Sequence, residues 1–166
     1  CIVRLMSRRV DGILLLKRRL PDRELVALSR STPLVLSGRK VAGERVYSLD
    51  VDNTPGARLA TEFLIGQGHR KIAFIAGPPD HPDAVQRLSG YKAALAANRI
   101  PYAPKLVAPG DYTEAGGLAA MGRLLDAGAE FTAVFAANDQ SAYGAMLALY
   151  RRGRSVPGDV SVVGFD

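Results

Sequence analysis

Seven short apolar runs, none of them strictly alternating, limit the folds open to this chain more than any other feature. They are Ile13 to Leu16, Pro33 to Leu36, Val46 to Val51, Lys71 to Ala76, Leu106 to Ala108, Ala133 to Ala136 and Val160 to Val163. Successive side chains of a strand point to opposite faces, so a strand covered on one face alternates apolar and polar residues. Runs apolar at both parities describe strands covered on both faces, as in a parallel sheet flanked by helices. Helical patterns lie between most of these runs, and strand-helix repetition predicts an α/β fold with doubly wound parallel sheets.

The helix starts carry chemical signals. "TPGARLATEFLIGQG" offers Thr54 as N-cap, Pro55 at the first helical position and Gly66 or Gly68 at the end. "DAVQRLSGYKAALAAN" offers Asp83 as N-cap with Gln86 three later, and Ala84, Leu88, Tyr91 and Leu95 on one face. A third helix is expected from Thr113, burying Ala115, Leu118, Met121 and Leu125, and a fourth presents Ala142, Ala145, Met146 and Leu149 before stopping at Gly153. The polar, glycine-bearing stretch Ser37 to Arg45 is the best candidate for a boundary region between lobes.

Several classes fall away. No apolar run approaches the roughly 18 residues of a membrane span, and the first residues lack the pattern of an export signal. The chain opens on Cys1 and ends on Asp166 at a strand tip, so further sequence is expected beyond it. One cysteine and two histidines, His69 and His81, lack the number and spacing of a zinc site. No phosphate-binding G-x-x-x-x-G-K-[ST], dinucleotide G-x-G-x-x-G or nucleophile G-x-S-x-G occurs; "RLSGY" has Arg87 where the first glycine would stand. The expectation is a non-enzyme without metal or cofactor.

The net charge of +6 is unevenly spread. Up to Arg45 there are 11 basic and four acidic residues, which leaves −1 for the remainder. Such an excess is either a solvated face or the mark of a polyanion partner, and no aromatic residues interleave with it as in a single-strand nucleic-acid groove.

Polar residues gather at the expected strand tips: Asp50, Asp52 and Asn53; Asp83 and Arg87; Asp111 and Tyr112; Asn138 and Asp139; Asp166. In open α/β sheets ligands bind beyond the carboxyl ends of the strands. A guanidinium forking onto neighbouring oxygens, carboxylates accepting hydroxyl protons and an aromatic ring covering an apolar face suit a polyhydroxylated small molecule. Each residue also has a plainer reading. Asp83 can cap its helix, Asn138 or, by preference, Asp139 can cap the next one, Arg87 can extend to solvent, Tyr112 can pack its loop, and His81 and His69 can be structural.

The segments "RRVDGILLL", "PLVLSGR", "LDVDNTPGARLATEFLIGQGHRKIAFIAGP", "DAVQRLSGYKAALAANRI", "FTAVFAANDQSAYGAMLAL" and "VPGDVSVVGFD" resemble the LacI/GalR family of bacterial transcription regulators. The resemblance implies an effector-binding core of two Rossmann-like lobes of the periplasmic binding protein type. Residues 1–50 would belong to an incomplete N-terminal lobe and residues 51–166 to the C-terminal lobe. It implies a cytoplasmic homodimeric repressor. A sugar or nucleoside-like effector in the cleft between the lobes would alter binding to operator DNA through a helix-turn-helix headpiece absent from this chain.

The same resemblance assigns site residues. Arg87 matches the effector-clamping arginine, Tyr112 the stacking ring, Asn138 the polar residue opening the Asn-Asp-Gln stretch, and Asp166 the aspartate after the Gly-Phe pair. Asp83 and His81 fall in a loop that varies with ligand identity. Gly38 stands where many members carry a ligand-reaching aspartate, a departure in the N-terminal half of the site. The rival readings are a periplasmic sugar-binding protein of a transporter and a hydrolase or transferase on the same sheet.

Overall fold

The computed structural model describes residues 10–16 and 20–166 together with Leu5 and Arg8. Five of the bases counted above, Arg4, Arg9, Lys17, Arg18 and Arg19, lie outside the described residues. The chain divides into two compact units, Cys1–Val51 and Asp52–Asp166.

The N-terminal unit contains β1 (Ile13–Leu15), α1 (Asp22–Ser29), β2 (Leu34–Ser37) and β3 (Val46–Leu49), with the strands parallel in the order β1-β2-β3. Ile13, Leu34 and Val46 are in register, and Ile13, Leu25 of α1, Leu34, Leu36 and Val41 form the core. The next register row, Leu14, Val35 and Tyr47, points to the other face, where Leu14 is 57% exposed and Tyr47 60%. Coverage on both faces, expected from the apolar runs, therefore fails for this sheet among the described residues. Period 2 puts alternate apolar residues on each face, and α1 packs against only one of them. The stretch Ser37 to Arg45 is no boundary; it lies inside this unit and joins β2 to β3. Ser29 Oγ donates to Glu44 O at 2.7 Å and Arg39 Nη1 to Leu20 O at 2.7 Å, which hold that connection down.

The C-terminal unit contains α2 (Asn53–Gly66), β4 (Ile72–Ile75), α3 (Pro82–Ala97), a 3-10 turn (Pro104–Leu106), β5 (Val107–Ala108), α4 (Glu114–Asp126), β6 (Ala133–Ala136), α5 (Asp139–Arg151) and β7 (Ser161–Val163). Its four parallel strands run β5-β4-β6-β7. Every residue of β4 and β6 is buried, because helices cover both faces. Phe74 and Phe135 pack with Ala57, Leu64, Tyr91 and Leu95 of α2 and α3, whereas Ile75 and Val134 pack with Met121, Leu124, Ala145 and Leu149 of α4 and α5. The parity that hid alternation in the sequence is thus shared between two cores.

Helix starts follow local sterics more closely than capping patterns. The residue before a proline is pushed to extended backbone, so His81 and not Asp83 is the N-cap of α3, its Nδ1 accepting Asp83 N–H at 3.3 Å. α2 begins one residue ahead of Thr54, with Pro55 still in the first turn, where amide hydrogens have no intrahelical partner. Thr113 caps α4 as expected, accepting Gly116 N–H. The buried stripe of α4 is Gly117, Ala120, Met121 and Leu124, and Ala115 is exposed. It turns toward α5 because Gly117 and Gly144 let the two backbones approach: a Cβ on Gly144 would stand 2.0 Å from Glu114 O. The same turn leaves Met146 on the solvent side of α5.

Candidate functional site

Connections leave β4 and β6 in opposite directions, β4 through α3 to β5 and β6 through α5 to β7. Where neighbouring connections part, a crevice opens beyond the carboxyl ends of the strands, which is where such sheets take ligands. The six residues singled out from the sequence lie at this end of the C-terminal unit, and each is linked to Tyr112.

Tyr112 has φ +67°, an uncommon backbone for a residue with a side chain. Asp111 begins the bend that imposes it: its Oδ1 accepts Thr113 N–H at 2.9 Å and Thr113 Oγ1–H at 2.7 Å, and these bonds hold the Asp111 carboxyl below the usual carboxylate range. Asn138 closes the bend from the other side, its Nδ2 donating to Tyr112 O at 3.0 Å while its Oδ1 accepts Ser141 N–H and caps α5. Asn138, not Asp139, is therefore the cap, and most of its hydrogen-bonding capacity is spent inside the protein.

The Tyr112 ring lies on Gly77, just beyond β4, where a Cβ would come within 2.4 Å of its Cζ. His81 meets the ring edge-on with centroids 5.4 Å apart. The Tyr112 hydroxyl is fully covered and has no hydrogen-bond partner among the described residues. Burial raises its pKa, the nearby charges of Asp83 and Asp166 add to the rise, and Arg87 opposes it. The Nδ1 of His81, which accepts Asp83 N–H, also lies 3.8 Å from Asp83 Oδ2.

Arg87 is only 5% exposed, although it sits in the second turn of α3. Its guanidinium holds three segments together. Nε donates to Asn53 Oδ1 at the start of α2 (2.7 Å), and Nη1 to Ala137 O beyond β6 and to Phe165 O beyond β7 (2.6 Å). The plane also lies over the rings of Phe165 (4.9 Å) and Tyr112 (5.6 Å). A fork onto two ligand oxygens, expected from the sequence, conflicts with this geometry, because two of the three nitrogens are engaged within the fold. Among the described residues, Nη2 alone is without a protein partner. Asn53, already among the polar strand-tip residues, completes the arrangement together with Phe165 and Gly77, which no local pattern marks; Arg87 meets Asn53 and Phe165 across 34 and 78 residues.

Two other features lie away from this cluster. His69 bridges the amino-terminal ends of β6 and β7, with Nδ1 2.9 Å from Thr132 Oγ1 and Nε2 3.0 Å from Ser161 Oγ, a structural clamp. A depression of about 330 Å³ lined by Leu125, Phe131 and Arg154 lies at the same end, opposite the crevice. Among the described residues there is no group of acidic, His or Cys side chains fit to hold a metal ion, and no helix is long and apolar enough to cross a membrane.

A doubly wound parallel unit with donors, acceptors and rings gathered at its strand tips is an open-sheet domain of the α/β class. The chain belongs to the periplasmic binding protein-like domain family, whose profile matches residues 61–166. Over nearly its whole length it is similar to LacI-family transcriptional regulators. It is 45% identical over 165 residues to the HTH-type transcriptional regulator CelR of Thermobifida fusca, covering 98% of this chain and 48% of that protein. The crystal structure of the Escherichia coli transcriptional repressor AscG is 38% identical with a TM-score of 0.82, covering 99% of this chain and 61% of the other. A CelR–cellobiose complex is 44% identical with a TM-score of 0.75, covering 99% of this chain and 51% of the other. The chain spans about half the length of the relatives it matches.

Proposed function

We propose that these residues are the effector-sensing core of a DNA-binding transcription regulator of the LacI/GalR type, a cytoplasmic homodimer acting as a repressor. Its operator DNA is read by a helix-turn-helix headpiece outside these 166 residues, and it performs no chemistry on its ligand. The effector is a sugar or nucleoside-like molecule seated at the carboxyl ends of β4 and β6. Arg87 donates to it from Nη2, Asp166 and Asp83 accept its hydroxyl protons, and the face of Tyr112 covers an apolar side. Asn138 holds Tyr112 in place and His81 borders the ring. The observation that carries this reading is the Arg87 guanidinium, almost wholly buried yet with one nitrogen unpartnered. The relative solved with cellobiose makes sugars the first class to examine.

The test is operator binding by the intact protein, followed by fluorescence anisotropy across a panel of sugars and nucleosides, with calorimetry for affinity. One or more of them changes operator affinity in the wild type, and Arg87→Ala abolishes that response while the variant still binds operator. Unchanged effector affinity in Arg87→Ala overturns the site. A panel that neither alters operator binding nor raises the melting temperature overturns the function.

A further inference from the structure

The chemistry at the strand tips goes further than "a sugar": it separates neutral ligands from phosphorylated ones. Tight recognition of a phosphate group by arginine uses two parallel N–H···O bonds from one guanidinium edge. In Arg87, Nε and Nη1 are bound to Asn53, Ala137 and Phe165, which leaves single-nitrogen donation from Nη2. The two N–H bonds of this one nitrogen diverge, so they suit single hydroxyl or ring oxygens and do not make the parallel fork a phosphate takes.

Charge around this end acts in the same direction. Asp52, Asp80, Asp83, Asp111, Glu114, Asp139 and Asp166 all lie in the loops or first helical turns at the carboxyl ends of the strands. Arg87 and Arg123, the latter bonded to Pro109 O beyond β5, reach this end, and Arg58, in the second turn of α2, is paired with Glu62 on its own helix. The N-termini of α2 to α5 point here too and bring about two elementary charges of positive partial charge in total. Against seven carboxylates the balance of this unit stays negative. Most other bases of the unit, including Arg70, Lys71, Lys105, Arg151 and Arg154, sit at the opposite end, at strand starts and helix ends.

We propose that the site at the carboxyl ends of β4 and β6 selects uncharged polyhydroxylated ligands and excludes their phosphate esters. This rests on the effector-binding role proposed above. The acidic rim repels the ester, and the engaged guanidinium offers it no fork. Both terms are absent for the neutral sugar, whose hydroxyls donate to Asp83 and Asp166.

The experiment is calorimetry on the intact protein with glucose, galactose and cellobiose and with their phosphate esters, at low and high ionic strength. The neutral member that binds does so at least tenfold more tightly than its ester. Added salt narrows the gap by screening the rim, and the double variant Asp80→Asn/Glu114→Gln, which changes rim charges that make no proposed ligand contact, strengthens ester binding severalfold without altering neutral binding. An ester that binds as tightly as its parent sugar, or more tightly, overturns the exclusion and leaves the effector role standing. If none of these binds, the neutral and phosphorylated forms of the ligand found in the operator-binding panel are compared instead, and if that panel yields no ligand the effector role fails and this inference with it.

Discussion

The hydroxyl of Tyr112 is the most informative single atom to remove. It is fully covered and lacks a partner, and a buried hydrogen-bonding group left unsatisfied costs about 1–3 kcal/mol. Tyr112→Phe keeps the ring on Gly77, the edge contact with His81 and the bend fixed by Asn138, and deletes only the unsatisfied group. The void left is one oxygen in size, so we expect a net gain of about 1 kcal/mol, or about 2–6 °C in melting temperature. Differential scanning calorimetry and urea denaturation of the ligand-free protein measure it. An alkaline titration adds a second readout. Burial raises the Tyr112 pKa in the folded state, so above the ordinary value of about 10 the folded chain binds more protons than the unfolded one. Stability from this group is complete below pH 10 and is lost as pH rises through the raised value. Tyr91, also raised by burial, contributes equally to both proteins, so the difference in alkaline slope isolates Tyr112. A less stable Phe variant, or one with the wild-type slope, refutes the argument.

Two further perturbations probe the scaffold and the cap. A Cβ at Gly144 would lie 2.0 Å from Glu114 O and 2.5 Å from Leu118 N, both backbone atoms, whereas one at Gly122 of α4 meets nothing within 4 Å. Urea titrations should find Gly144→Ala destabilised by about 1–3 kcal/mol despite better helix propensity, and Gly122→Ala stabilised by about 0.5–1 kcal/mol. Equal effects would mean α4 and α5 do not cross as described. Asn138→Ala removes both the α5 cap and the bond to Tyr112 O, at a cost of about 1–3 kcal/mol with weakened sugar binding. Asn138→Asp keeps the capping oxygen and loses the donor, so calorimetry should show it recovering stability but not affinity. Full recovery of both by Asn138→Asp would show that the bond to Tyr112 does not position the ring.

The strands were legible because their signal is local. Each of the seven apolar runs holds one, and even β5, trimmed to two residues, falls inside Leu106 to Ala108. Helix faces were legible where large side chains dominate, as with Tyr91 and Leu95 of α3. They were misread in α4, where glycine and alanine line the contact and the larger Leu118 and Leu125 stay half-buried. Hydrophobicity marks what prefers burial, whereas a close helix crossing is set by what is small enough to permit it. The exposed face of β1 to β3 escaped for a different reason. Leu14, Tyr47 and Leu49 read as core by type, and a sequence does not say which layers are present to cover them. Within the site, residue types were readable at the strand tips, but the state of Arg87 was not. Whether a guanidinium forks onto a ligand or braces its own fold depends on partners 34 to 78 residues away.

That bracing explains how one residue can both build the site and serve it. The acceptors bonded to Arg87 are an amide oxygen and two peptide carbonyls, all neutral. The guanidinium lies over the Phe165 ring, and a hydrogen bond from an ionised donor is roughly twice as strong as one between neutral groups. The remaining Nη2–H edge is thereby a strong donor whose direction is fixed by three bonds to three chain segments. One of those bonds ends on Phe165 O, so the backbone leading into Asp166 is tied to the same guanidinium, which is the arrangement the proposed effector site requires. In that proposed role a neutral polyol would meet the Nη2 donor directly and the Asp166 acceptor through the backbone that Arg87 holds.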